Sequence, residues 1–457
     1  MSLEGAIAVH RFGLGAKPGE IAAASARPHD WLLSQLETGA DEPQALDATA
    51  LQTGGELAAL LTGDRQQIAR LRRERAGNQE AIKALNRSRG QIFLQEMAAR
   101  FACGFATDKP FAERLVWFWS NHFVVSALNL RAALFAGAFE REAIRPHING
   151  KFEEMVQAVV HHPAMLLYLD NAESIGPDSA AGKKSGKGLN ENLGRELMEL
   201  YTLGVDGGYT QADVIAMAKL LTGWSLDPAG GNGFRFYPAR HEPGPVTLRG
   251  KTYEGYDGAV AAVGDLAHDP ATARHIARKF AIAFIADEPS AASVARLENT
   301  FRETDGDLRA LSEAAVNDPA AWSAAGRKLR TPVEYVTAAY RLLGLPRAGN
   351  DPDAVAKQVR GAMGAARLMG QFPLAPPSPK GWPEISEAWS GPDAVLDRIE
   401  WARQIGQRLP KNFDAAAVAE SGLGPLLRPA TRTAMAEAGA PGEAIALLLA
   451  SPEFQRR

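Results

Sequence analysis

Apolar residues recur three and four positions apart through most of this chain. Leu193, Leu197, Leu200 and Leu203 form one such run, and this spacing places their side chains along one face of a helix. Comparable runs, joined by short links, predict helices over residues 132–145, 152–161, 163–169, 271–284, 290–300, 308–317, 332–342, 395–408, 414–419 and 442–450. The pattern is typical of a mainly α protein, and we expect one large multi-helix domain over residues 1–457.

Two segments depart from helical spacing. Alternation at Phe234 and Phe236, followed by Val246 and Leu248, predicts one small β-hairpin around residues 233–254. Residues 371–384 are rich in proline, which lacks an N–H donor and fixes φ. We therefore expect an extended segment there that crosses the surface of the helical body.

Residues 64–105 carry a concentration of positive charge and an intermittent apolar seam formed by Ile68, Leu71, Ile82, Leu85 and Ile92. They predict one long basic helix, or a helical hairpin that breaks near Gly77. The basic residues are Arg65, Arg70, Arg72, Arg73, Arg75, Lys83, Arg87 and Arg89. Three interpretations stay open: a solvated arm packed on one side, an arm that binds a partner or a second copy, and contact with a polyanion.

Composition narrows the class of protein. A chain of 457 residues with 46% hydrophobic content can build a large core. Its formal charge of −3 gives no overall basic surplus, so nucleic acid is not an expected partner. The single cysteine, Cys103, excludes an internal disulfide and a cluster of thiolate zinc ligands.

Hydropathy along the chain bears on its location. No apolar run approaches the roughly 18 residues of a membrane span, and the N-terminus lacks a basic region followed by an apolar one. We expect a soluble protein that is cytoplasmic as written, with export an option if a leader was removed.

The segment 189–204 places many polar groups on a helix built for burial. Glu191, Arg195 and Glu199 follow at i, i+4 and i+8, and Asn192, Glu196 and Glu199 at i, i+4 and i+7. Three explanations fit: solvated surface charge, an ion-pair lattice around Arg195, or a site that holds a cation or a proton.

This face is the candidate site, and its chemistry has alternatives. A hydrolase would use Glu191, Glu196 or Glu199 as general base, with Arg195 or Arg145 polarising a substrate oxygen. A metal site would need further ligands from elsewhere in the fold. The histidines considered for that role are His122, His147, His162 and His241. Metal and cofactor are left unassigned.

We expect these groups to converge in one polar cleft. It would be made by Arg145, the face Asn190–Glu199 with Asn190 and Asn192, and His122 and His241, and Arg141 and Arg145 would pair with the acidic helix. His122 is interpreted as a helix-end or core histidine, or as a ligand or base. Trp382 is interpreted as an anchor for the extended segment, or as a platform for sugar stacking.

Several motifs together resemble a known family. They are HRFGLGA from His10, RLVWFWSNHF from Arg114, REAIRPHINGKFEEM from Arg141, HHPAMLLYLDN from His161, LNENLGRELMELYTLGVDGGYT from Leu189, RKLRTPVEYV from Arg327 and MGQFPLAPPSPKGWP from Met369. They resemble a bacterial family catalogued as domain of unknown function 1800, in the same order and over nearly the whole chain. Many relatives have histidine where this chain has Tyr201, and an HD pair where it has His241 and Glu242.

The resemblance implies a fold and interesting positions but no activity. It also implies a possible partner, because family members often neighbour a sulfatase-like family catalogued as unknown function 1501. Three functions stay open: a binding or assembly component that works with a partner, a carboxylate-based or metal-assisted hydrolase, and a self-associating scaffold.

Overall fold

The structure, a computed structural model, describes residues 1–46, 51–73, 79–186, 188–229, 231–323, 328–345 and 351–457. The break predicted near Gly77, and Arg75 within the basic stretch, lie outside these residues.

The first third of the chain is helical, and proline marks several helix starts because it fixes φ and needs no N–H partner in the first turn. The helices are α1 (Leu3–Ile7), α2 (Glu20–Ala24), α3 (Pro28–Glu37), α4 (Gly54–Arg73), α5 (Gln79–Ala106) and α6 (Pro110–His122). A π-helical turn, Ala8–Phe12, continues α1.

The middle third alternates short helices with tighter or wider turns. Its helices are α7 (Leu130–Ala133), α8 (Ala136–Phe139), α9 (Phe152–His161), α10 (Pro163–Tyr168), α11 (Ala180–Ser185), α12 (Asn192–Glu196) and α13 (Gln211–Leu220). Two more π-helical turns, Glu140–Ile144 and Leu197–Tyr201, follow α8 and α12 directly. Thr210 caps α13 by accepting from the Asp213 backbone N–H, and the Asp213 carboxylate accepts from the Thr210 N–H in return.

The last part of the chain is again helical. Its helices are α14 (Gly255–His268), α15 (Pro270–Phe284), α16 (Ala291–Glu303), α17 (Leu308–Val316), α18 (Pro319–Ser323), α19 (Pro332–Leu343), α20 (Pro352–Leu368), α21 (Pro392–Gln407), α22 (Ala415–Leu423), α23 (Pro429–Ala436), α24 (Pro441–Ala450) and α25 (Pro452–Gln455). The apolar faces of these helices join those of α1–α10, α12 and α13 in one hydrophobic core. The prediction of a mainly α protein is confirmed.

Strand structure is confined to residues 224–253 in the described part of the chain. Strand β1 (Trp224–Leu226) pairs antiparallel with β2 (Phe234–Phe236), and β3 (Val246–Leu248) with β4 (Lys251–Tyr253). The sequence predicted one hairpin around 233–254, whereas the structure has two. Phe234 and Phe236 belong to β2, which pairs with the preceding strand β1. Val246 and Leu248 belong to β3, which pairs with β4 across a turn at 249–250.

The outer parts of α4 and α5, residues 62–73 and 79–95, form a two-helix unit that we call the arm. The side chains of Asp64 and Arg89 join the two helices through an ion pair of 2.7 Å. Ile68, Leu71, Ile82 and Leu85 are all half-buried, as a seam between two helices requires. Two helices thus occupy the basic stretch that the sequence assigned to one helix or a hairpin.

Residues 371–384 contain neither helix nor strand and cross the end of α6. Ala127 donates its backbone N–H to the Leu374 carbonyl at 2.8 Å, and the Ser126 hydroxyl donates to the Pro376 carbonyl at 2.7 Å. The extended path predicted from the prolines is confirmed. We call residues 371–384 the proline segment.

No helix among the described residues has the length and apolarity needed to cross a membrane.

Candidate functional site

The acidic helix predicted from the sequence is formed by α12 and the π-helical turn Leu197–Tyr201. Leu193 and Leu197 are fully buried, as the leucine stripe predicted, whereas Leu200 is only partly buried. The extra residue of a π-helical turn shifts the following side chains around the axis, and such turns are frequent at functional sites. The charged residues of this segment remain half-exposed.

Glu191, Arg195 and Gln211 form a triangle of hydrogen-bonded side chains at the protein surface. Arg195 donates to the carboxylate of Glu191 at 2.8 Å and to the side-chain oxygen of Gln211 at 2.9 Å, and the Gln211 amide donates to Glu191 at 2.8 Å. The side chains of Arg195 and Glu191 are 38% and 35% exposed, so the i,i+4 pair contributes only about 0.3–0.5 kcal/mol. The triangle connects the starts of α12 and α13.

Asn190 and Asn192 build the turn that begins α12. The side-chain oxygen of Asn190 accepts from the Asn192 backbone N–H at 2.9 Å, and the Asn190 N–H donates to the Ser174 hydroxyl at 3.1 Å. This is an Asx-type turn, which sets the start of a helix by local hydrogen bonding. Both asparagines therefore take part in this turn, and the binding role predicted for them stays a prediction.

Glu196 and Glu199 form a second group with Tyr168 and Tyr209, which we call the carboxylate–tyrosine cluster. Burial and the neighbouring Glu199 raise the pKa of Glu196, and burial and Glu196 raise the pKa of Tyr168 to about 12. Burial and the neighbouring Glu199 also raise the pKa of Tyr209. Two carboxylates in one partly buried patch favour retention of a proton.

We expect the Glu199→Gln variant to lower the pKa of Glu196, because the change removes the neighbouring negative charge and keeps the shape. Carbon-detected NMR titration of the glutamate carboxyl groups measures this, with Glu313→Gln as a control on a distant helix surface. The raised pKa means that the folded state holds this proton more firmly than the unfolded state. Glu196 therefore lowers stability as pH rises through its ordinary value of 4.5, and Glu196→Gln should remove that fall. A Glu196 pKa at or below 4.5 would contradict this account.

The predicted pairing of Arg141 and Arg145 with the acidic helix is wrong. Arg145 is 1% exposed at its side chain and donates to both oxygens of Glu113, at 2.6 and 3.1 Å. Arg141 donates to Glu96 at 2.8 Å. Both arginines lie at the turn after α8, which packs on α5, α6 and α9, so the carboxylates of those neighbouring helices reach them. Arg145 therefore has no place in a cleft with residues 190–199.

His122 is hydrogen-bonded to the C-terminal end of the acidic helix. Its Nε2 donates to the Tyr201 carbonyl at 3.1 Å, and His275 Nε2 donates to the Leu200 carbonyl at 3.0 Å. Carbonyls at a helix end lack intrahelical donors, so these histidines complete the termination. Burial lowers the pKa of His122 well below its usual range, and burial with nearby Lys279 lowers that of His275 to about 4. Both rings are therefore neutral near pH 7, and the core interpretation of His122 fits its position.

His241 hydrogen-bonds to residues outside the acidic helix, and His147 belongs to a short turn after Arg145. His241 Nδ1 lies 2.9 Å from the Thr222 carbonyl, and its ring packs edge-on against Phe236. Its neighbour Glu242 is buried, pairs with Lys219 at 3.1 Å and accepts the Asp178 backbone N–H at 3.0 Å. His147 ends a short turn after Arg145, and burial lowers its pKa. The sequence predicted a cleft made by Arg145, Asn190–Glu199, His122 and His241, whereas Arg145 and His241 have their partners outside residues 190–199.

A polar cleft does exist, but along α6 and the proline segment. It has a cavity volume of about 90 Å³, is open to solvent and does not include residues 190–199. Arg114, Trp117, Phe118 and Asn121 line it, and their spacing of i, i+3, i+4 and i+7 places them on one face of α6. The other lining residues are Arg100, Ser120, Ala283, Phe284, Thr331, Val333, Glu334, Gln371, Pro373, Leu374, Trp382, Pro383 and Glu384.

Asn121 fixes the proline segment over this cleft. Its side-chain oxygen accepts the Trp382 backbone N–H at 2.8 Å, and its amide donates to the Trp382 carbonyl and to Glu384, both at 2.9 Å. Gly381 has φ +83°, and a Cβ there would overlap the Asn121 carbonyl oxygen, so the close approach requires glycine. Trp382 anchors the segment, as one of its two interpretations had it.

The sequence interpretation missed Arg100, Arg114, Glu334, Gln371 and Glu384. One usable signal in the sequence was the pair of polar residues Arg114 and Asn121, which lie at i and i+7 on a helix rich in aromatic residues. Another was that Gln371 and Glu384 are the first and last residues of the proline segment. Arg100 and Glu334 carried no signal because they reach the cleft only through helix packing. Among the described residues, no three His, Cys, Asp or Glu side chains are grouped so as to hold a metal ion.

A family model described as "Protein of unknown function (DUF1800)" matches residues 7–456. The chain belongs to this family. No match was found among the curated proteins or the solved structures. Membership covers both the carboxylate–tyrosine cluster and the cleft along α6, and it assigns a role to neither.

Proposed function

We propose that the protein is a binding or assembly component that works with a partner protein, which docks on the arm. The observation that carries the proposal is that no described residue in 62–73 or 79–95 is buried. A globular fold gains stability from apolar burial, so this part of α4 and α5 adds little to the core. Its regular helices instead offer an accessible surface.

The charge of the arm indicates the kind of partner. Its described residues include seven basic side chains and two acidic ones, Asp64 and Glu80, although the whole chain has a formal charge of −3. Opposite charge speeds association and selects among partners. An acidic protein surface is therefore the expected docking face.

The same charge argues against pairing of two arms as the basis of a self-associating scaffold. Two basic arms brought into contact repel each other at low ionic strength. Even at 0.1 M salt, charges are largely screened from one another only when they are more than about 10 Å apart. The sulfatase-like protein implied by the family resemblance is the first partner to test.

The test measures binding of that purified sulfatase-like protein to the full chain by biolayer interferometry. The variant Arg72→Glu/Arg73→Glu/Arg87→Glu reverses three exposed charges on the arm. We expect association at least about tenfold slower at 50 mM salt, and a smaller difference at 300 mM salt.

The matched control is Arg278→Glu/Arg302→Glu/Arg360→Glu, which reverses three exposed helical arginines elsewhere. It should leave association within about twofold of the wild type, since rim charges act locally. Equal slowing by both variants, or by neither, would refute docking on the arm. Light scattering of the chain alone tests the scaffold alternative, and a concentration-dependent dimer lost in the arm variant would replace the proposed partner by a second copy.

A carboxylate-based hydrolase is the second candidate, favoured by the carboxylate–tyrosine cluster. There a partly buried glutamate with a raised pKa lies beside a second carboxylate, an arrangement that suits general acid–base chemistry. The surface around Asn190–Glu199 would then receive the substrate.

The test of the hydrolase is a panel of chromogenic p-nitrophenyl esters, phosphates, sulfates and glycosides. If the wild type turns one over, Glu196→Gln should reduce kcat by about 10²- to 10⁴-fold without lowering the unfolding midpoint. Loss of activity together with loss of stability would assign Glu196 a structural role, and no turnover on any substrate class would count against the hydrolase.

A further inference from the structure

The cleft along α6 contains side-chain donors that have no acceptor among the described residues. Arg100 is 7% exposed and lines it. Its Nε donates to Glu140 at 2.7 and 2.9 Å, whereas its Nη1 and Nη2 donate to no group in the described part of the chain. Its guanidinium lies over the Trp117 ring, 4.6 Å from the centroid. These two nitrogens can donate to a ligand in the cleft.

Further donors lie in the same lining. Trp382 Nε1 is buried and has no acceptor among the described residues. Gln371 uses its side-chain oxygen to accept the Val333 N–H at 2.9 Å, at the start of α19, which leaves its amide N–H groups as donors toward the cleft. A ligand that supplies acceptor atoms would satisfy all three residues.

The carboxylates of the lining limit the charge of that ligand. Glu334 is already bound by Arg114 at 2.7 Å and by Arg457 at 3.2 Å, and Glu384 accepts from Asn121 at 2.9 Å. Their negative charge disfavours a dianion such as phosphate. A carboxylate carries one charge, and its two oxygens match the parallel N–H groups of a guanidinium.

The remaining lining describes the rest of the ligand. Trp117, Phe118, Phe284, Pro373 and Leu374 make the rest of the lining apolar, which favours a ligand with an apolar body. We infer that this cleft binds a small carboxylic acid with an apolar body, its carboxylate on Arg100 and the Trp382 Nε1–H. This site is separate from the arm and does not depend on a docked partner.

The test uses isothermal titration calorimetry of the full chain with benzoate, benzamide and inorganic phosphate as probes. We expect saturable binding of benzoate at one site, and binding about tenfold or more weaker for neutral benzamide and for phosphate. Equal affinity for benzamide would overturn the role of the charge, tighter phosphate binding would overturn the carboxylate assignment, and no benzoate binding up to 10 mM, roughly the weakest affinity of interest, would overturn the site.

Two isosteric variants should shift benzoate affinity in opposite directions. Gln371→Glu adds a negative charge and should weaken binding by about tenfold or more, whereas Glu384→Gln removes one and should strengthen it several-fold. Both keep the oxygen that accepts from Val333 or Asn121, so the fold is retained, as circular dichroism would verify. Glu387→Gln, an exposed change beyond the lining, is the control. Shifts of the same sign, or none, would refute the inference.

Discussion

Glu113→Gln is expected to lower the stability of the protein by about 3–5 kcal/mol. Glu113 is 0% exposed and accepts from Arg145 at 2.6 and 3.1 Å and from Trp117 Nε1 at 2.9 Å. Glutamine replaces one acceptor oxygen with a donor and leaves a buried cation without its partner. Burial alone would lower the pKa of Arg145, and Glu113 followed by Glu140 raises it instead. In the variant the guanidinium still carries its charge, because arginine is not deprotonated in proteins.

The midpoint of urea unfolding, followed by circular dichroism, measures this loss. The control Glu420→Gln removes a surface partner of Arg432, where both side chains are at least 40% exposed, and should cost about 0.2–1 kcal/mol. Replacing the pair together, as Glu113→Leu/Arg145→Met, should recover most of the loss, because the desolvation of both charges disappears. A Glu113→Gln protein as stable as the wild type would mean that Glu140, 3.5 Å from Arg145, compensates alone.

Glu334→Gln is expected to have the second-largest effect and to depend on pH. Burial by itself would raise the pKa of Glu334, but Arg114 and Arg457 lower it to about 2. The Glu334 carboxylate also caps α19 by accepting the Thr331 N–H at 3.0 Å, an interaction that glutamine preserves. The variant thus leaves two nearly buried guanidiniums without a counter-charge, at a cost of about 3 kcal/mol.

The pH dependence follows from the direction of the shift. A depressed folded-state pKa gives stability that is present above the ordinary value of 4.5 and is lost as pH falls toward about 2. The difference in unfolding midpoint between wild type and variant should therefore be full at pH 7 and shrink between pH 4.5 and the lowest pH at which the fold survives. Glu313→Gln, which removes an exposed i,i+4 partner of Arg309, should cost about 0.3–0.5 kcal/mol. A difference that does not change with pH would contradict the assigned ion pairs.

Local features could be predicted from the sequence because they depend on near neighbours. Spacing of three and four residues predicted the helices, and proline predicted the extended path of residues 371–384, since both act on the backbone of the residue itself. The same reasoning predicted the Glu191–Arg195 pair, one helical turn apart. It predicted one hairpin where two occur, because strand pairing also depends on where each turn lies.

The partners of the buried charges could not be predicted in this way. Arg145 meets Glu113 across 32 residues, and Arg114 meets Glu334 across 220 residues. The sequence offers each arginine many possible carboxylate partners, and local spacing does not distinguish among them. Only helix packing decides which carboxylate comes within 3 Å of a given arginine. The sequence by itself therefore determined a mainly helical chain with a polar helix at 189–204, a basic arm and an extended proline segment. The tertiary structure alone decided that the open cleft lies along α6, because a cleft is formed by surfaces distant in the chain, and local periodicity carries no information about their meeting.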